Sequence, residues 1–216
     1  MVRRGSRVQS PSEALKLSSG DAVILVAEMI ELEKRAEARG VSKLQLMECA
    51  GKGIADVLAE KFAGQKIVFV CWHGNNGGDG FTAARYLLDE GIPVKVWFAG
   101  VEEKLAPEAK ANFARLPKNI FTNGVHEAEV VVDCLLGTGS KKALEGPLAE
   151  AVKEINSSRA FVVSVDVPTG VDPDSGKSRG GFVDCDLLLS VHDLKKGLAK
   201  FAAKSEVVDI GLKAFV

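Results

Sequence analysis

Apolar positions follow two patterns along the chain. Near the start the spacing is helical. Met29, Ile30, Leu32 and Glu33 open a segment that runs to Arg39 and stops at Gly40. Ser42 reads as the N-cap of a second helix, with Gln45 three residues on as its capping-box partner. Leu44, Met47, Ile54, Val57, Leu58 and Phe62 give that helix an apolar face. Gly51 and Gly53 interrupt it at an intrinsic cost of about 1 kcal/mol each. They imply close approach of a neighbour, either a packed element or a ligand.

Beyond residue 65 the pattern changes to continuous apolar runs, as expected of strands covered on both faces. These are KIVFVCW (Lys66–Trp72), PVKVWFA (Pro93–Ala99), EVVVDCLL (Glu129–Leu136), AFVVSVDV (Ala160–Val167) and CDLLLSV (Cys185–Val191). EVVDIG (Glu206–Gly211) reads as an added edge strand. Helical segments are expected at 79–90, 103–116 and 147–156, the second with Pro107 near its first turn. This alternation predicts an α/β fold. Its sheet is doubly wound, mostly parallel and Rossmann-like, preceded by two N-terminal helices. Residues 21–216 read as a single domain and 1–20 as a flexible extension.

Composition narrows the class. A chain of 216 residues with 46% hydrophobic residues can build a core without disulfide or metal staples. A net charge of -1 argues against a broad nucleic-acid surface. No apolar run approaches the roughly 18–20 residues of a membrane span. The basic start (Arg3, Arg4, Arg7, Lys16) lacks the apolar core of a secretory signal. A cytoplasmic location is expected, with organelle import through residues 1–20 left open. Cys49, Cys71, Cys134 and Cys185 form no CxxC pair and read as free buried thiols.

In open parallel sheets, ligands bind beyond the carboxyl ends of the strands. Three segments there carry candidate chemistry. HGNNGGDG (His73–Gly80) has four glycines in eight residues. It reads as a turn that lets backbone approach a ligand, with Asp79 capping the following helix. The second segment places Asp133 near a strand end, before Gly137, Gly139, Ser140, Lys141 and Lys142. The third, SVDVPTGVDPDSG (Ser164–Gly176), ends a strand on Asp166, while Asp172, Pro173, Asp174 and Gly176 read as turn formers. A turn does not need a carboxylate at Asp166. Oxygen donors without paired histidines suit a hard cation better than zinc. His126 and His192 read as surface or capping residues, and His73 lies beside the site. The weak GxGxxG-like match at Gly78 starts several residues past the strand and lacks a ribose acid, which argues against a conventional NAD(P) oxidoreductase.

These segments, in this order, resemble the NAD(P)HX epimerase family, the YjeF N-terminal-type domain, from about Leu25 to Leu212. GNNGGDGFTAARYL is the most specific piece. DCLLGTG, SVDVPTGVDPDSG, ARGVSKLQLMECAG and HDLKKGL supply the rest. The chain departs from the family pattern at Cys49, Trp72, Thr169 and Lys196. The resemblance implies an isomerase that interconverts the C6 epimers of hydrated NADH and NADPH (NADHX and NADPHX) in nicotinamide nucleotide repair. It further implies substrate binding by Asn75, Asn76, Gly77, Gly78 and Asp79. The same role falls to Gly137, Thr138, Gly139, Ser140, Lys141, Lys142, Ala143 and Asp166. A potassium ion is expected on Asn76, Asp133 and Thr169. Asp166 is the expected proton-transfer group. A homodimer and a functional partnership with a separate dehydratase are also implied. A non-catalytic dimerising module of the same fold is the competing reading, which loss of Asn76, Asp133 or Asp166 would have favoured.

Overall fold

The computed structural model describes residues 23–139, 143–178 and 180–216. The expected extension at 1–20 and the expected substrate contacts Ser140, Lys141 and Lys142 lie outside the described residues.

The apolar run around Leu25 divides in two. Val23–Ile24 forms a short strand, β1, and Val26–Ala38 forms helix α1. The Leu25 amide donates to Glu28 Oε2 at 2.8 Å, which closes the helix start. Ser42 caps α2 (Lys43–Lys61) through the expected reciprocal pair with Gln45. Strands β2 (Ile67–Cys71), β3 (Val94–Phe98) and β4 (Phe121–Thr122) follow, with α3 (Asn75–Asp89) and α4 (Pro107–Phe113) between them. Next come β5 (Val130–Cys134), α5 (Gly146–Ser157), β6 (Phe161–Val165), β7 (Leu187–Val191), β8 (Leu194–Lys195) and β9 (Ser205–Val208).

Seven strands form one sheet in the order β4-β3-β2-β5-β6-β7-β9, and every pairing is parallel. The chain winds outward from β2 to β4, returns to β5 on the other side of β2, and winds out again to β9. The order therefore reverses between β2 and β5, which opens a crevice at their carboxyl ends. β9 is an edge, as the sequence predicts. β8 leaves the main sheet and pairs with β1, in register Val23 to Leu194 and Ile24 to Lys195.

Alternate strand residues feed two cores, as the pleat requires. Ile67, Phe69, Cys71, Val130 and Val132 pack under α1 to α3. Val68, Val70, Val131 and Val162 pack under α5 and the 3-10 helix Lys196–Lys204. No helix among the described residues is long and apolar enough to cross a membrane.

Several sequence expectations are corrected. The expected helix at 103–116 is a 3-10 turn, Glu102–Lys104, followed by α4 with Pro107 in its first turn. The residue before a proline is pushed out of the α region, and Ala106 is extended at ψ 148°. Cys49 is exposed, because it lies on the outer face of α2, whereas Cys71, Cys134 and Cys185 are free and buried. His192 is not a surface residue. It is 1% exposed, with a left-handed φ of 70°. His126 is exposed as expected.

Gly51 answers to a helix contact. A Cβ there would stand 2.4 Å from Thr82 Cβ on α3, and one at Gly53 would stand 2.5 Å from Val208 of β9. Helix propensity alone predicts that Gly51→Ala stabilises the chain by about 1 kcal/mol. The contact with Thr82 reverses the sign. Urea denaturation of Gly51→Ala should show a loss of about 1–3 kcal/mol, and a gain would contradict this packing.

Candidate functional site

The first correction at the site concerns HGNNGGDG. Helix α3 begins at Asn75 with Gly74 as its N-cap, so Gly77, Gly78 and Gly80 lie inside the helix. Asp79 is in its second turn and caps nothing. The glycines serve packing. A Cβ at Gly77 would fall 1.8 Å from the Trp72 carbonyl oxygen. One at Gly78 would meet Met47 and the Ala109 backbone, and one at Gly80 would meet the Cys71 and Cys134 sulfurs. Removing those side chains lets α3 lie directly on β2 and β5. Its N-terminus then sits over the crevice, with first-turn amides that have no intrahelical acceptor.

A cavity of about 500 Å³ opens there. Helix α3 contributes Asn75, Asn76 and Asp79 to its wall, and the β5 loop contributes Leu135 to Gly139. The end of β6 contributes Asp166, and α1 and α2 contribute Met29, Ile30, Glu33, Lys43, Leu46 and Met47. Trp72 and His73 line one side, their rings tilted by 36° with centroids 4.7 Å apart. Asn76 is 7% exposed, and neither its Oδ1 nor its Nδ2 has a hydrogen-bond partner among the described residues. An amide buried in that way is costly unless a ligand satisfies it.

Asp166 follows β6 at a left-handed φ of 65°. Its Oδ1 lies 2.5 Å from Lys195 Nζ, and its Oδ2 accepts the Thr138 amide at 3.1 Å. Lys195 is fully buried and also donates to the Val191 carbonyl at 2.6 Å. Gly137 is needed for this arrangement, because a Cβ there would stand 2.6 Å from Asp166 Oδ2.

Asp133 and Thr169 are placed differently. Both are fully buried beneath the cavity floor and do not line it. Asp133 Oδ1 accepts Thr169 Oγ1 at 2.7 Å and the Leu135 amide at 3.2 Å. Its Oδ2 accepts Ser164 Oγ at 2.9 Å and the Thr169 amide at 3.0 Å. Thr169 Oγ1 also accepts the Leu136 amide at 3.0 Å, which ties this cluster to the cavity loop. Gly77 and Gly78 are buried in packing, and Ala143 is exposed away from the wall. Asp172 and Asp174 are structural, as expected. Asp172 Oδ1 accepts the Ser175 amide at 2.8 Å, and Asp174 Oδ1 accepts the Val26 amide at 3.0 Å, docking α1.

Burial raises the carboxyls of Asp79 and Glu33, Asp166 adds to the rise of both, and the Lys195 ammonium opposes it in both. For Asp79 the shift is well above the ordinary range, with Asp166 and then Glu33 contributing after burial. Burial also raises Asp133, opposed by its bonds from Thr169, Ser164 and Leu135. Burial and then Lys104 lower His73, which favours the neutral ring.

The sequence reading assigned no role to Lys195 or Glu33. Lys195 had a signal, since it lies in the HDLKKGL segment. Nothing local marks Glu33, because the turn of α1 that faces the cavity is set by docking.

The family model described as YjeF-related protein N-terminus matches residues 43–197. The chain belongs to the YjeF N-terminus family. The matched region holds every segment of the cavity except α1 and Ile210. A bifunctional NAD(P)H-hydrate repair enzyme, Nnr, of Methanothermobacter thermautotrophicus is 36% identical over 217 residues, covering 92% of this chain and 42% of that protein. An NAD(P)H-hydrate epimerase of Nitrosopumilus maritimus is 32% identical over 189 residues, covering 82% of this chain and 88% of that protein. The chain thus spans about two fifths of the length of the bifunctional relatives. The crystal structure of the yeast protein YNL200c shares the fold, with a TM-score of 0.73 and 24% identity over 86% of this chain and 87% of that one.

The buried pair gives a direct test within this YjeF N-terminus domain. Lys195→Met should cost about 3–5 kcal/mol in urea denaturation, because it leaves the Asp166 carboxylate without its cation. The double variant Lys195→Met/Asp166→Asn should recover part of that loss. A single-variant cost within about 1 kcal/mol would show that the pair does not hold the site together.

Proposed function

We propose that the chain is an NAD(P)H-hydrate epimerase, an isomerase acting on NADHX and NADPHX in nicotinamide nucleotide repair. One observation carries the reading. Asp166, held by Lys195 and the Thr138 amide, stands on the wall of a cavity that also holds the unpartnered Asn76 amide. The cavity lies at the switch point, beside the amino end of α3, where a dinucleotide phosphate meets free backbone amides.

The substrate carbon bears a hydroxyl and a ring nitrogen. Loss of that hydroxyl forms a ring iminium, and water returning to the other face inverts the centre. The Asp166 carboxylate takes the proton of the incoming water and stabilises the cationic ring while it lasts. Lys195 and Thr138 fix both of its oxygens, so its geometry does not relax between steps. Apolar Met29, Leu46 and Met47 exclude bulk water from one side of the ring.

The donor set suits a potassium ion. Asp133 is a fully buried carboxylate with no cationic side chain beside it among the described residues, and Asn76 Oδ1 has no partner. Both are hard oxygen donors, with Thr169 beside Asp133. Such an ion would supply fixed positive charge under the substrate loop. A homodimer, a cytoplasmic location and cooperation with a dehydratase belong to the same proposal.

Two measurements test it. Asp166→Asn should lose stability, because Lys195 is left without its counter-charge, and its folded fraction should interconvert purified NADHX epimers at least about a hundredfold more slowly, followed by chromatography. Potassium should raise the melting temperature more than sodium does, and Asp133→Ala should abolish that difference. Near-wild-type rates for Asp166→Asn would remove the residue from the mechanism, and equal melting in both salts would remove the cation.

A further inference from the structure

Among the carboxylates on the cavity wall, Asp79 and Asp166 stand in opposite surroundings. Asp166 has an ammonium and an amide donor. Asp79 has neither a hydrogen-bond donor nor an ion pair among the described residues, although it lies partly buried on the same wall. A carboxylate enclosed without donors or a cation is poorly solvated as an anion. The charged groups that act on it are Asp166 from the end of β6, Glu33 from α1 and Lys195 from β8. Two of the three are acidic. Asn76 lies one turn before Asp79 on α3, so the two residues share a helix face. A ligand group that satisfies the buried Asn76 amide is therefore within reach of Asp79.

We propose that Asp79 is the second catalytic residue of the epimerase, the acid that protonates the departing C6 hydroxyl. This rests on the epimerase reading above. The Asp79 carboxyl gives its proton as the C6–O bond breaks, and the hydroxyl leaves as water. The ring-nitrogen electron pair forms the C6=N double bond. Water then adds to the opposite face and passes its proton to Asp166. Each turnover moves one proton from Asp79 to Asp166, and the return direction moves it back. Exchange with solvent resets the pair. Burial and the neighbouring Asp166 and Glu33 raise the Asp79 carboxyl well above the ordinary range, which keeps the proton available. The two carboxylates thereby take opposite roles because their partners differ.

The experiment compares the wild-type chain with Asp79→Asn and Glu33→Gln. Each purified epimer is supplied in turn, across pH, in water enriched in ¹⁸O. The wild type should place label at C6 as it epimerises, and its rate should fall as pH rises through the ionisation of the acid. Asp79→Asn should cut the rate by about 10²–10⁴-fold. Its residual rate should lose the alkaline fall, which Glu33→Gln should keep.

Thermal melting reads the same group independently. Its raised carboxyl binds a proton in the folded state that the unfolded chain has released. Wild-type stability therefore falls as pH rises above the unfolded value. Asp79→Asn mimics the neutral acid, and its melting temperature should fall less with pH. A wild-type rate that stays flat into alkaline pH overturns the assignment whatever the variants do. So does a fully active Asp79→Asn, or loss of the alkaline limb in Glu33→Gln alone. A wild-type chain that does not interconvert the epimers overturns the epimerase reading itself, and this assignment with it.

Discussion

The site is organised around the buried contact between Asp166 and Lys195. A non-glycine residue with φ of 65° is strained, and Asp166 keeps that conformation only because its surroundings hold it. Lys195 grips one oxygen and the Thr138 amide the other. The ammonium is itself fully enclosed, so removing either charge strands the other. Lys195 rides on β8, and β8 has β1 as its pairing partner. Asp174 then ties the start of α1 through the Val26 amide. The short N-terminal strand and the helix after it are thus part of the site's architecture, although they lie outside the matched family region.

The glycines of α3 work by absence. Each takes away a side chain where the helix must touch something solid: the Trp72 carbonyl, the α4 backbone, or the sulfurs of Cys71 and Cys134. The result is a helix seated deeply enough that its first turn reaches the switch point. Asn75, Asn76 and Asp79 gain their positions from that seating. Gly137 plays the same part in the β5 loop, where it leaves room for the Asp166 carboxylate. Close packing therefore explains most of the glycine content that a ligand-centred reading attributes to phosphate contact.

Beneath the pocket, Asp133 and Thr169 form a different kind of unit. The Asp133 carboxylate accepts four hydrogen bonds, two of them from Thr169, and it does not line the cavity. Thr169 Oγ1 passes the connection to the Leu136 amide, at the root of the cavity loop. This floor couples the β5 loop to the β6 turn through hydrogen bonds to backbone.

Local chemistry determined much of this protein in advance. Capping at Ser42, continuous apolar strands and the strand–helix alternation required a parallel α/β sheet, because those patterns depend only on neighbouring residues and burial. The three segments at strand ends were legible for the same reason. The sequence pattern misplaced the start of α3 by four residues, since glycine weakens a helix locally and only packing against β2 and β5 repays it. It also could not show that Asp133 lies beneath the pocket while Asp166 lines it, or reveal Lys195, Glu33 and the special setting of Asp79. Those distinctions arise when β6, β8, α1 and α3, far apart along the chain, meet at one crevice. Burial and partner charge exist only after that meeting, so the tertiary structure alone decides which carboxylate is paired and which is left without a donor.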